Sequence, residues 1–253
     1  MQLTLIANAG FMLSSPSGRV LVDGIHSGCD GFSPVSLPCL EEMASGSSSF
    51  SHADLLCFTH GHPDHFSPYW TQRYLTGNPG IRGLFLPEQA PCTDSHLMQT
   101  IAENRIPLTP LHMAAGQAIS YSPLPGLTCR IFPTPHAGTE YQMVEHYAYH
   151  FFLEGKQLLC LGDSQLNVPY LQHMLSQASI DVLLVNPLFL RLPEGRDIIT
   201  RLIRPQLLLI YHIPFQGDDT SGLRKLALHN RRKYQAILPP TVLLSEPLQT
   251  LSI

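Results

Sequence analysis

The stretch that constrains this chain most is Thr59-His60-Gly61-His62-Pro63-Asp64-His65, which places three imidazoles and one carboxylate within six residues. An apolar run precedes it and predicts a short strand that ends at the first histidine. In an extended segment, His60 and His62 lie on one face and suit one metal ion. Asp64 and His65 follow where the chain turns into a helix, so they suit a second ion. Imidazole and carboxylate donors together favour Zn²⁺, with Mn²⁺ or Fe²⁺ as alternatives.

Four ligands in one heptapeptide cannot complete two metal sites, so others must come from distant parts of the chain. A good candidate is a His or Asp just past the end of a buried strand, where the chain enters a cleft. Three residues stand in that position, each after an apolar run: His136, Asp163 and His212. We therefore expect these three to join the heptapeptide.

Length and composition restrict the classes of protein that fit. The 253 residues are 44% hydrophobic and only 13% charged, which predicts one globular domain spanning 1–253. The formal net charge of −4 argues against a nucleic-acid binder, which is usually basic. The 13 histidines nearly equal the 15 Lys and Arg residues, which favours metal chemistry.

The amino-terminal residues and the cysteines bear on the compartment. Met1 to Ile6 has no basic region and is expected to be a strand rather than a signal peptide. No apolar run is long enough for a membrane span. The six cysteines show no regular pairing pattern, which predicts reduced thiols and a cytoplasmic protein; they are Cys29, Cys39, Cys57, Cys92, Cys129 and Cys160.

Apolar periodicity and turn residues predict many short strands followed by an alternation of helices and strands. Strands are expected at Leu3–Leu13, Arg19–Asp23, Asp54–Thr59, Arg82–Leu86, Gln117–Tyr121, Leu127–Pro133, Tyr147–Leu153, Gln157–Leu161, Val182–Val185, Leu207–Tyr211 and Val242–Leu244. Helices are expected at about Ser67–Leu75, Ser95–Asn104, Val168–Gln177, Arg196–Ile203 and Ser221–Gln235. Gly24–Ser51 is predicted to be irregular, either a functional cover or a mobile segment. The class is mixed α/β.

These residues resemble the metallo-β-lactamase superfamily. Its HxHxDH signature matches His60, His62, Asp64 and His65, and its later single ligands match His136, Asp163 and His212. The resemblance implies a four-layer αββα sandwich, with two mixed sheets face to face and helices outside. It also implies that His60, His62 and His136 bind one metal, that Asp64, His65 and His212 bind another, and that Asp163 bridges them.

The residue types at a few individual positions indicate which branch of the superfamily this chain resembles. Asp163, in place of a Cys, is unlike a large class of secreted antibiotic-hydrolysing enzymes and resembles the intracellular hydrolases. His62 stands where the oxygen-reducing diiron branch typically has Glu. Ala7–Phe11 and Arg19–Asp23 resemble the branch of ascorbate-6-phosphate lactonase and N-acyl-phosphatidylethanolamine phospholipase D, although Gly24 replaces the usual Pro of that branch.

The expected function is a metal-dependent hydrolase that uses a metal-bridging hydroxide on a small ester, lactone or phosphoester. Asp64 is expected to orient the hydroxide and take its proton. Asp23, Thr59 and Ser164 are candidates for fixing the imidazole tautomers. The alternatives are a nuclease or phosphodiesterase of the same fold, a non-catalytic metal-binding or sensing protein, and a mononuclear dioxygenase.

Three further histidines are candidates for binding substrate: His26, His146 and His150, with packing or loop roles as the alternatives. The last predicted helix carries a basic cluster, which is either a solvent-exposed face or an anchor for a phosphorylated substrate. The cluster comprises Arg224, Lys225, Arg231, Arg232 and Lys233. The expected partner is a small molecule, with a phosphorylated one as an option, and not nucleic acid. Assembly into homo-oligomers stays open.

Overall fold

Two mixed sheets of seven strands each face one another in the computed structural model, which describes residues 1–90, 94–176 and 178–253. The first sheet has the order β14-β1-β2-β3-β4-β5-β6. Its strands are β1 (Gln2–Leu5), β2 (Phe11–Ser15), β3 (Gly18–Val22), β4 (Leu55–Cys57), β5 (Gly83–Pro87), β6 (Leu108–Leu111) and β14 (Thr250–Ser252). The four strands from β3 to β6 run parallel, and the others pair antiparallel.

The second sheet has the order β13-β12-β11-β10-β9-β8-β7. Its strands are β7 (Ile119–Leu124), β8 (Leu127–Pro133), β9 (Tyr147–Leu153), β10 (Lys156–Cys160), β11 (Val182–Val185), β12 (Leu207–Ile210) and β13 (Thr241–Leu243). The four strands from β10 to β13 run parallel, as do four strands of the first sheet. Each sheet therefore has one half whose strands all end at the same edge.

Helices cover the outer face of each sheet. Those on the first sheet are α1 (Leu37–Ser45), α2 (Pro68–Gly77) and α3 (Ser95–Glu103). Those on the second are α4 (Val168–Met174), α5 (Leu188–Arg191), α6 (Pro193–Asp197), a π-helix (Ile198–Ile203) and α7 (Leu223–Tyr234). The Ser67 hydroxyl caps α2 and the Asp94 carboxylate caps α3, as their residue types favour.

Three apolar layers separate the four layers of secondary structure. The central layer fills the space between the sheets, and each outer layer lies between one sheet and its helices. Strand β9 shows how the sequence produces this: Tyr147, Tyr149 and Phe151 enter the central layer, whereas Ala148 enters an outer one. The αββα sandwich expected from the resemblance is confirmed.

Several predicted elements differ from the structure. Leu3–Leu13 is not one strand but two, β1 and β2, because the chain turns back where the Ile6 amide bonds to the Gly10 carbonyl over 2.8 Å. Gly24–Ser51 is not wholly irregular, because it contains α1, which begins after Ser36 with a proline in its first turn. Strands β6 and β14 were not predicted from periodicity, and the predicted helix Arg196–Ile203 is α6 followed by the π-helix.

Two predictions touch residues outside the described ranges: Cys92, and Gln177 at the predicted end of α4. The five described cysteines are free thiols. Within the described residues, no helix combines the length and the apolar character needed to cross a membrane.

Candidate metal centre

The seven predicted ligands meet at the edge where the parallel strands of both sheets end. His60 follows β4, Asp163 follows β10 and His212 follows β12. Neighbouring parallel strands place their carboxyl ends at one edge, which brings residues distant in sequence together. His136 reaches the same place after β8, where it forms an isolated bridge with Ser164.

Three histidines form a first group, which we call the first trio: His60, His62 and His136. Nε2 of His60 lies 2.9 Å from Nδ1 of His62 and 3.3 Å from Nε2 of His136. All three nitrogens lie within 4.8 Å of one another. Nitrogens bound to one tetrahedral Zn²⁺ are about 3.3 Å apart, given Zn–N bonds of about 2.0–2.1 Å. The first trio therefore has the spacing of a single-ion site.

A second trio consists of Asp64, His65 and His212. The two Nε2 atoms of the histidines are 2.9 Å apart. Oδ2 of Asp64 lies 3.6 Å from Nε2 of His65 and 3.3 Å from Nε2 of His212. The His60-His62 pair and the Asp64-His65 pair thus separate into different groups, as the strand-to-helix turn predicts.

Asp163 lies between the trios. Its Oδ2 is 3.4 Å from Nε2 of both His65 and His212, 3.8 Å from Nε2 of His136, and 4.0 Å from Nε2 of His60. Its other oxygen is 3.4 Å from the side-chain amide of Asn186, a residue that no sequence pattern singled out. One carboxylate oxygen is therefore within reach of an ion held by either trio.

The charges of the cluster are strongly coupled. Burial opposes ionisation of Asp163, but His212 and His65 outweigh it and hold its pKa well below the ordinary value. Burial likewise disfavours the charged form of His65, yet the Asp23 and Asp64 carboxylates raise its pKa well above the ordinary value. Burial and the neighbouring His65 and His146 lower the pKa of His60. Asp163 and Asp64 likewise raise the pKa of His212 against the effect of burial. The protein alone thus favours ionised carboxylates beside the protonated forms of His65 and His212.

A buried pair, Asp23 and Thr59, sets the tautomers of two histidines. Asp23 accepts hydrogen bonds from the Thr59 amide (2.8 Å) and hydroxyl (2.7 Å), and lies 3.0 Å from Nδ1 of His65. Because the hydroxyl hydrogen of Thr59 goes to Asp23, its oxygen accepts from Nδ1 of His60, 3.0 Å away. Both imidazoles then present Nε2 to the site. Asp23 and Thr59 thus fix imidazole tautomers, as expected of them from the sequence.

Two residues of this region adopt the left-handed backbone conformation that non-glycine residues avoid. Asp23 has φ 46° and His212 has φ 57°. Such a conformation costs about 1–2 kcal/mol per residue. The His212 amide donates a 2.7 Å hydrogen bond to the Asn8 carbonyl, which holds the turn after β12. The surrounding fold therefore imposes the direction in which His212 points.

His146 is fully buried and supports Asp163 instead of facing the space between the trios. Ser164 donates its hydroxyl hydrogen to the Leu161 carbonyl, so its oxygen accepts from the Thr134 hydroxyl over 2.9 Å. Thr134 in turn accepts from Nδ1 of His146 over 2.7 Å, which leaves Nε2 to accept the Asp163 amide over 2.9 Å. Burial lowers the pKa of His146 to about 3, so it is neutral. Ser164, the third tautomer candidate, ends this chain.

The other two candidate substrate residues are placed differently. His26 lies beside the second trio, fully buried, and burial together with His65 lowers its pKa to about 3. Neither of its ring nitrogens has a hydrogen-bond partner within the described residues. His150 lies on the helix-facing side of β9, in a separate cavity of about 390 Å³ with Arg130 and Phe152. The structure does not bring His150 to the metal centre.

Two aromatic rings beside the trios could not be identified from spacing. The Phe32 ring meets the His212 ring edge-on, with centroids 4.7 Å apart. The Tyr141 ring meets those of His62 and His136, each at 4.9 Å. Phe32 belongs to the predicted cover and Tyr141 follows His136 by five residues. Their nearness in sequence to other candidate site residues is the only feature by which the sequence could have indicated them.

Comparisons with known proteins show which solved structures share this fold. No family model matches the sequence, and no curated protein is significantly similar to it. Solved structures do match. A metallo hydrolase from the archaeon Ignicoccus hospitalis has a TM-score of 0.63 at 16% identity, over 99% of this chain and 97% of that one.

An isothiocyanate hydrolase from Delia radicum gut bacteria has a TM-score of 0.61 at 15% identity, over 100% of this chain and 99% of that one. The beta-hydroxylase CmlA (an E377D mutant) has a TM-score of 0.66 at 12% identity, over 100% of this chain but 54% of that one. At such identities the similarity shows a common fold and leaves the reaction to be argued from this chain's own residues.

Proposed function

We propose that this chain is a metal-dependent hydrolase holding two divalent cations, one in each trio, with Asp163 between them. The observation that carries the proposal is the geometry of the trios. Each places three nitrogen or oxygen donors within 4.8 Å of one another, and Asp163 lies between them. The distal nitrogens of His60 and His65 are hydrogen-bonded through Thr59 and Asp23, and that of His136 meets the Ala137 carbonyl over 2.6 Å. Imidazole and carboxylate ligands that are oriented in this way favour Zn²⁺, with Mn²⁺ or Fe²⁺ as alternatives.

Divalent cations in such a site would lower the pKa of a bound water and polarise the oxygen of a substrate carbonyl or phosphoryl group. The protein's own part falls mainly to Asp64. Burial disfavours its ionised form, but His65 and His212 lower its pKa below the ordinary value, so the carboxylate is ionised at neutral pH. Its Oδ2 lies near His65 and His212 of the second trio, so the carboxylate stands where it can accept a proton from an attacking water.

The proposed substrate is a small ester, lactone or phosphoester. The similar isothiocyanate hydrolase supports hydrolysis of a small carbon electrophile on this fold. The branch of ascorbate-6-phosphate lactonase and N-acyl-phosphatidylethanolamine phospholipase D, a cytoplasmic location and a single domain over 1–253 belong to the same proposal.

The test combines metal analysis with a panel of reactions. The purified protein is loaded with Zn²⁺, Mn²⁺ or Fe²⁺ in separate preparations, and metal content is measured together with turnover of esters, lactones and phosphoesters. We expect about two ions per chain and hydrolysis that a chelator abolishes. A metal-loaded protein that consumes oxygen but hydrolyses nothing would instead favour an oxygenase, the activity class that the similarity to a beta-hydroxylase makes worth measuring.

A further inference from the structure

Two aromatic rings flank the metal centre from opposite ends; we call Phe32 and Tyr141 the aromatic walls. Phe32 meets His212 of the second trio, whereas Tyr141 meets His62 and His136 of the first. Each wall therefore presents an apolar ring beside the ligands of one trio, so a bound molecule that reaches the trios lies next to both.

Two apolar side chains are exposed to solvent at the Tyr141 end of the site. Tyr141 is 39% exposed and Met143, two residues later, is 85% exposed. Large apolar side chains left in solvent beside a polar centre are typical of surfaces that bind ligands. Apolar contact area is therefore available to a ligand at Tyr141 and Met143, beside the polar donors of the trios.

Cationic side chains, by contrast, are absent from every segment that supplies a ligand. The sequence has no Lys or Arg in residues 20–72, 131–155, 157–190 or 205–223, which contain all seven ligands and both aromatic walls. Within the described residues, the ion pairs of Arg side chains are with Asp54, Asp197 and Glu246, none of which belongs to the site. In the basic cluster on α7, Arg224 pairs with Glu246, which lies outside the segments that supply the ligands.

The charge balance of the site follows from these positions. Proteins that bind phosphate or carboxylate groups usually do so with Arg or Lys. Here the carboxylates of Asp23 and Asp64, which are buried, and of Asp163, which is partly exposed, would offset three of the four positive charges of two divalent ions. Glu140, next to Tyr141 in the chain, is exposed and adds negative charge. An anionic group on the substrate would meet no cationic side chain from the segments that supply the ligands, and one acidic side chain beside Tyr141.

We infer that the site takes a neutral, apolar acyl compound, whose apolar part packs against Phe32 and Tyr141, and that it discriminates against phosphorylated or carboxylated substrates. The inference rests on the proposed function and narrows its substrate class to uncharged esters and lactones, without the phosphoesters. It also assigns specificity to two residues that are not expected to bind metal.

The experiment compares substrates that differ only in charge. The metal-loaded protein is given para-nitrophenyl pentanoate and the mono-para-nitrophenyl ester of glutaric acid, which has the same chain length but ends in a carboxylate. Both esters have the same leaving group and a similar carbonyl. We expect kcat/KM to favour the neutral ester by at least about tenfold, a difference of about 1.4 kcal/mol in transition-state binding.

Binding supplies a readout that does not depend on turnover. The para-nitroanilides of pentanoic and glutaric acid, which are stable analogues of the two esters, are titrated calorimetrically into metal-loaded protein. The neutral anilide is expected to bind more tightly. Tyr141→Ala should reduce both preferences, whereas Tyr69→Ala, which removes an exposed tyrosine from α2, should change neither. Tyr141→Arg should shift the preference toward the glutarate ester.

The outcomes separate the two proposals. Equal or better turnover of the glutarate ester, or of para-nitrophenyl phosphate, would overturn the inference while leaving the hydrolase intact. Preferential binding of the neutral anilide without hydrolysis of any ester would support the apolar site and remove the hydrolase. A neutral preference that survives Tyr141→Ala unchanged would show that Tyr141 does not contribute to it.

Discussion

The amide of Asp163 donates a 2.9 Å hydrogen bond to Nε2 of His146. This bond fixes the backbone of the residue that lies between the trios, and it ends a chain of hydrogen bonds through Thr134 and Ser164 whose directions are all determined. His146 is thus a positioning residue for Asp163. A side chain that replaces His146 would have to accept the hydrogen bond from the Asp163 amide at the same position.

Replacing His146 with Ala should weaken metal binding, because Asp163 loses the bond that orients it. Changes in groups that orient metal ligands typically reduce affinity by about 10–100-fold. Thr134→Val should have a smaller effect in the same direction, and Thr134→Ser, which keeps the hydroxyl, should restore it. Metal affinity is measured by competition with a chromophoric chelator. His229→Ala, which removes an exposed histidine from α7, is the control. Wild-type affinity in His146→Ala would show that Asp163 needs no such support.

Gly162→Ala should disturb the same contact. A Cβ at this position would lie 2.6 Å from Nε2 of His146, and the backbone has φ +54°. Gly155→Ala is a matched control, because its φ is +74° but nothing lies within 4 Å of the added carbon. Both variants should lose about 1–2 kcal/mol of unfolding free energy through backbone strain. Only Gly162→Ala should also lose metal; equal metal content in the two variants would contradict the importance of the contact.

Metal binding should release protons. The Asp23 and Asp64 carboxylates, against the effect of burial, raise the pKa of His65 above 6.5, and Asp163 and Asp64 do the same for His212. Since a metal binds the unprotonated imidazole, these groups must lose protons when the second trio is loaded. Affinity should therefore fall as the pH is lowered through and below neutrality. Calorimetry in buffers of different ionisation enthalpy counts the protons, and an absence of release at pH about 7 would show that these imidazoles are neutral beforehand.

Asp64→Asn should reduce turnover much more than metal content. The amide keeps a donor oxygen for the second trio but cannot accept a proton. His60→Ala and Asp163→Ala should instead lose metal and activity together. Metal content and kcat are measured side by side on the three variants. Unchanged turnover in Asp64→Asn would remove Asp64 from the proton transfer.

Much of the site follows from local sequence. The heptapeptide joins a strand to a helix, and the alternation of an extended chain places His60 and His62 on one side of that junction. Apolar strands that end in a His or Asp indicate the other ligands. Helix α1 was missed because it lies in a stretch rich in Gly, Ser and Pro, which favour irregular structure, and β14 was missed because three residues of an edge strand carry almost no pattern.

The sequence by itself determined which elements form and which polar residues stand at their ends, because both depend on neighbours a few positions away. Only the tertiary structure decided where those side chains point and what supports them. The left-handed turn at His212, the reach of Asp23 to His65, and the position of His146 behind Asp163 all come from contacts between distant segments. No periodicity encodes such contacts, because they arise only when the two sheets pack together and bring the ends of their parallel strands to a common edge.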